Sequence, residues 1–119
     1  MSIPFIKRFK RAIIGFFSVV TSETNIRFMS VVGVIVLAVA WWFKVSRIEL
    51  IVLLVIVFSV LILEGINTIL ERVIDLVEPR YKEVVREIKD GLAGLVLLAS
   101  IGAAVVGIII FWPYIIERF

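Results

Sequence analysis

Apolar residues gather in three blocks along this chain, separated by short polar stretches. The first, FMSVVGVIVLAVAWWF, covers residues 28–43, and the second, LIVLLVIVFSVLIL, covers residues 50–63. The third, GLAGLVLLASIGAAVVGIIIFWPYII, runs over residues 91–116 without a charge. A helix needs about 20 residues to cross about 30 Å of hydrocarbon. The third block suffices alone, and the first two reach that length with their polar flanks. The pattern predicts three transmembrane helices at about residues 28–46, 48–70 and 88–116.

Ahead of them the pattern changes. The segment IPFIKRFKRAIIGFFSVV, residues 3–20, interleaves Lys7, Arg8, Lys10 and Arg11 with Phe5, Ile6, Phe9, Ile13 and Phe16. That is a basic amphipathic helix suited to the headgroup layer. A secretory leader also starts basic and turns apolar, but no small-residue cleavage site closes this segment, so it is expected to stay attached. Residues 64–90 form a polar hairpin. Two helices are expected to leave the membrane there and meet at Glu78-Pro79-Arg80, because the residue before proline avoids the helical region.

Composition makes lipid the solvent. Of 119 residues, 62% are hydrophobic, against about 45–50% in soluble domains. Without cysteine or histidine, the chain has no thiolate chemistry, and any metal must be held by oxygen ligands. The net charge of +3 is small and no nucleic-acid motif is present. The basic residues are unevenly placed. Five stand near the N-terminus (Lys7, Arg8, Lys10, Arg11, Arg27) and five in the hairpin (Arg72, Arg80, Lys82, Arg86, Lys89). The opposite side has only Lys44, Arg47 and Arg118. The excess of Lys and Arg orients the N-terminus and the hairpin toward the cytoplasm. Trp41, Trp42 and Trp112 then fall at the outer ends of their spans, as an interfacial belt does.

The candidate chemistry lies at the cytoplasmic edge. At about 100° per residue, Glu64, Asn67, Glu71 and Asp75 share an arc of roughly 80° on one helix face. Glu83, Glu87 and Asp90 form a second stripe, and Glu23 stands at the start of the first span. For Glu83 and Glu87, with Arg86 between them, a solvated charged face is the simpler explanation. Glu64 is different, because it directly follows fourteen mostly apolar residues. An acid so near hydrocarbon needs a partner, a metal or a proton. Carboxylates beside an amide and a lysine suit Mg2+, which takes one or two carboxylates and completes its shell with water and phosphates. No Gly-rich phosphate loop of either common kind is present. In the third span, Ala99, Ala103 and Gly107 form a stripe of small residues that lets helices approach closely.

Taken together, these residues resemble the prokaryotic diacylglycerol kinase / undecaprenol kinase family of small integral-membrane lipid kinases. That family's signature, E-x-x-N-[ST]-x-x-E-x-x-x-D, stands here as EGINTILERVID, residues 64–75. Further matches are Glu23-x-Asn25-x-Arg27, Phe9-x-x-Ala12-x-x-Gly15, Pro79-x-Tyr81 and Lys89-Asp90, so the likeness covers nearly the whole chain. The resemblance implies a single all-α membrane domain over residues 1–119, a surface helix plus three transmembrane helices, assembled as a homotrimer in a bacterial or archaeal inner membrane. It implies phosphorylation of a membrane lipid alcohol, undecaprenol or diacylglycerol, by ATP with Mg2+ at the cytoplasmic interface. By the same resemblance Glu64 is the general base, and Glu23 and Glu71 hold Mg2+. Asn67 orients the metal or phosphate, Lys89 meets the phosphates, and Tyr81, Lys82, Glu83 and Asp90 contact the nucleotide. Met29 and Lys82 depart from the family's usual residues, while Asn25 and the VEPRY hairpin stand closer to the undecaprenol kinase branch.

Two other functions fit membrane helices bearing acids. A proton or ion transporter needs its carboxylates near mid-bilayer, whereas these stand at one edge. A non-enzymatic scaffold needs no order among the acids, whereas here they follow a dense, spaced signature.

Overall fold

The computed structural model describes residues 4–80 and 82–119. It is a helical chain of four elements: α1 (Pro4–Ser22), α2 (Thr24–Phe43), α3 (Arg47–Val77) and α4 (Glu83–Arg118). Each begins and ends for a local reason. Pro4 opens α1 at the one position where a missing N–H is harmless. At its far end Thr21 and Ser22 donate to the carbonyls of Phe17 and Val19 at 2.7 and 2.8 Å, side-chain bonds that compete with continuation of the helix. A single residue, Glu23, then turns the chain with an extended backbone (φ −131°, ψ 149°) into α2. Helix α2 ends at Lys44 in the left-handed region, with φ 55°.

Ser46 and Glu49 start α3 with a reciprocal capping box: the Glu49 N–H donates to Ser46 Oγ at 3.2 Å, and the Ser46 N–H donates to Glu49 Oε1 at 3.0 Å. Pro79 follows the end of α3, as the hairpin reading expects, and α4 resumes at Glu83. At 1.5 Å per residue α3 and α4 are about 46 and 54 Å long, so each extends well past a hydrocarbon core of about 30 Å. The acidic face of α3 is thus the continuation of a transmembrane helix, without a joint between them.

Helices α2, α3 and α4 are each long and apolar enough to cross a membrane. They form a slab, 54 × 48 × 20 Å overall, with α3 packed between α2 and α4 and α1 resting on α2 and α3. Little is buried. One apolar cluster, Ala40, Leu53 and Ile110, sits toward the end where α2 and α4 finish. Most of the large aliphatic and aromatic side chains point outward, an arrangement stable only against lipid or another protein surface. This is a multi-pass membrane protein.

Where α2 crosses α3, the backbones come close. A Cβ on Gly33 would lie 2.8 Å from Val57 Cγ1. Valine is stiff at χ1 and cannot swing away cheaply. Gly33→Ala is therefore expected to weaken the α2–α3 contact by about 1–3 kcal/mol, read as a lower midpoint of unfolding when detergent-solubilised protein is titrated with dodecyl sulfate. Val57→Ala in the same chain is expected to restore the midpoint. An unchanged midpoint in the single variant would show that the helices separate there without penalty.

On the side of that contact, with Gly33 and Val57 in its lining, α2 and α4 flank an apolar groove of about 800 Å3 floored by α3. Ala103 and Gly107 of the small-residue stripe line it. A Cβ on Gly107 would meet nothing within 4 Å, so this glycine is not required by packing inside the chain.

Candidate functional site

Among the described residues three polar side chains are buried, and they lie together on one face of α3: Glu64 at 6% exposure, Asn67 at 7% and Thr68 at 0%. They are covered because three helices meet there. Val19 of α1 and Ile26 of α2 approach to 3.9 and 3.8 Å of where a Cβ on Gly65 would stand. Ile26 is itself buried. The last turn of α1 and the first turn of α2 thus roof the segment that holds the acids.

Glu23 belongs to the roof. It occupies the N-cap of α2 but makes no side-chain capping bond, which leaves its carboxylate available. The charges that act on Glu64 are those of Glu23 and Glu71. Three acids from two segments therefore share one neighbourhood, and Glu64, the most enclosed, enters no ion pair among the described residues. Enclosing like charges without a cation is unfavourable, and a cation or a proton relieves it.

Asn67 links the buried and open parts of the face. Its Nδ2 donates to Glu71 Oε1 at 2.9 Å, and its Oδ1 is buried without a partner, as is Thr68 Oγ1. Further out, Lys89 of α4 donates to Asp75 Oδ1 at 2.6 Å, and the charge of Glu71 also acts on Lys89. Asp75, the outermost acid of the stripe, is what fixes Lys89. Its position one helical turn beyond Glu71 is the only sign of that in the sequence.

The remaining expected positions stand apart. Arg86 bonds both Glu83 and, at 3.1 Å, Asp90, so these two acids are tied along the exposed side of α4. Lys82 forms the N-cap of α4 and lies 3.6 Å from Glu78, which also takes Arg80 at 2.9 Å. Tyr81 lies outside the described residues. Glu23, Glu64, Asn67, Glu71 and Lys89 therefore form one electrostatic neighbourhood, and Lys82, Glu83 and Asp90 form a separate fringe at the hairpin.

Among the described residues no three acids stand close enough to enclose a metal unaided. The donor set still fits Mg2+, which asks a protein for one or two carboxylates and takes other ligands from phosphates and water. The orphaned Asn67 Oδ1, buried beside the Glu71 carboxylate, is the kind of oxygen such an ion satisfies. The site thus combines a buried carboxylate, oxygen donors suited to a hard cation and a lysine nearby.

The family model for prokaryotic diacylglycerol kinase matches residues 10–111 of the chain. A protein of Bacillus subtilis, named undecaprenol kinase, is 27% identical over 109 residues, 92% of this chain and 89% of its own length. A protein of Synechocystis sp., named diacylglycerol kinase, is 40% identical over 87 residues, 72% of this chain and 50% of its own length.

Proposed function

Because this chain belongs to the prokaryotic diacylglycerol kinase family and is a membrane-embedded lipid kinase, we propose that it transfers the γ-phosphate of ATP, with Mg2+, to undecaprenol. Glu64 is the general base. It takes the proton of the lipid hydroxyl as that oxygen attacks the γ-phosphorus, and ADP leaves with the bridging oxygen. Phosphoryl transfer is chiefly positioning and charge neutralisation, and this site has the means for both. Glu23, Glu71 and the free Oδ1 of Asn67 hold the metal, which when bound neutralises the phosphate oxygens. Lys89, steadied by Asp75, adds positive charge toward the water, and Lys82, Glu83, Asp90 and Tyr81 contact the nucleotide at the hairpin. The observation that carries this reading is the enclosed Glu64 on which the charges of Glu23 and Glu71 act, with no cation paired to it among the described residues.

The surface helix α1 lies in the headgroup layer on the cytoplasmic side of an inner membrane. The crowding of Lys and Arg at that end supports this orientation. The chain works as a homotrimer. The groove beside Ala103 and Gly107 accepts a neighbour's helix. Undecaprenol is favoured because the relative named for it aligns with nearly the whole of both chains.

The test is an assay of the purified chain in detergent with ATP and Mg2+, supplied with undecaprenol or diacylglycerol side by side. Faster formation of undecaprenyl phosphate is expected. Preference for diacylglycerol would reverse the choice of acceptor, and transfer to neither would end the kinase reading.

A further inference from the structure

At the end of the bundle opposite the carboxylates, the chain carries a second polar feature that the transfer reaction does not use. A cleft of about 500 Å3 opens between the end of α2, the start of α3 and the end of α4. Its walls are apolar, formed by Trp41, Trp42, Val45 and Leu50, and its rim holds two cations, Lys44 and Arg118.

Among the described residues no acid forms an ion pair with Lys44 or Arg118. Of the acids at this end, Glu49 is already taken up by the Tyr114 hydroxyl and the Ser46 N–H, and Glu117 precedes Arg118 without bonding it. Arg118 lies over the Trp42 ring at 4.5 Å from its centre, which fixes the guanidinium at the mouth.

Lys44 is held against its own preference. Its φ of 55° closes α2 through hydrogen bonds from the Lys44 N–H to Trp41 O at 3.2 Å and from the Val45 N–H to Ala40 O at 3.3 Å. Glycine is the residue that suits such a cap, and a side chain there is strained. Two cations with no ion pair among the described residues thus share the rim of one apolar cleft, a combination suited to an anion with an apolar body.

We propose that this cleft binds the headgroup of an anionic phospholipid from the leaflet opposite the carboxylate site. Lys44 and Arg118 meet the phosphate, and Trp41 and Leu50 cover the glycerol and the first acyl carbons. Tryptophan and unpaired cations at headgroup depth favour such a ligand. The proposal does not depend on the chemistry at the other end of the bundle.

Two of the three tryptophans line this cleft, so lipid with brominated chains reports on it by quenching their emission. The full chain in detergent micelles is titrated with brominated phosphatidylglycerol, and separately with brominated phosphatidylcholine. The anionic lipid is expected to quench at the lower mole fraction. Lys44→Gly and Arg118→Gln are each expected to weaken that quenching about fivefold, the effect of one cation near an anionic headgroup, while Arg47→Gln, outside the cleft, leaves it unchanged. Because glycine relieves the left-handed strain, Lys44→Gly should melt at or above the parent temperature, which separates lost binding from lost fold. If that variant also melts lower, the Arg118→Gln titration decides. Equal quenching by the two lipids, an equal loss in Arg47→Gln, or binding unaffected by both cleft variants overturns the proposal. Displacement of the lipid by glycerol 3-phosphate at matched concentration overturns it as well, since the cleft would then be an anion site and not a lipid site.

Discussion

Glu64→Gln is expected to lower phosphoryl transfer between about a hundredfold and ten-thousandfold, the range that general bases supply, while the protein stays folded. Glutamine keeps the volume that fills the junction of α1, α2 and α3 and removes only the proton acceptor. It also removes one of three acids that repel one another, so the melting temperature should hold or rise. The check pairs a lipid-phosphate assay with thermal unfolding of the same preparation. Loss of activity together with loss of fold would mean that Glu64 serves the structure. Activity within tenfold of the parent would place the base elsewhere.

The second large effect concerns the metal. Glu71→Gln preserves an acceptor for Asn67 Nδ2 and deletes the charge. The Mg2+ concentration for half-maximal transfer is expected to rise at least about tenfold, and a chelator should abolish transfer in parent and variant alike. Titration of Mg2+ at fixed ATP measures this directly. An unchanged curve would remove Glu71 from the metal site, leaving Asn67 and Glu23 as the candidates.

Much of this molecule was legible in its sequence because membrane helices announce themselves by length and apolarity. The three blocks became α2, α3 and α4, and Pro79 ended α3 at the expected hairpin. The face shared by Glu64, Asn67 and Glu71 followed from helical periodicity alone, since all three lie on one helix. Contacts between helices were less accessible. Nothing local in the sequence shows that Val19 and Ile26 would close over Gly65, or that Gly33 would meet Val57. Nor does it show that Tyr114 would bond a carboxylate 65 positions away. Such contacts depend on crossing angles, which many side chains set jointly. Glu83 and Asp90 show the same limit: their spacing suits a ligand, but it equally suits Arg86 at i+3 and i−4, and that local pair forms in the structure.

Glu23 is the sole residue between α1 and α2, so no slack separates two helices of 19 and 20 residues. Any tilt of α1 relative to α2 must be absorbed by the torsions of that one residue. The hinge and the carboxylate are the same amino acid. Swinging the arm by a few degrees re-aims an acid at its tip, as a crank turns its pin.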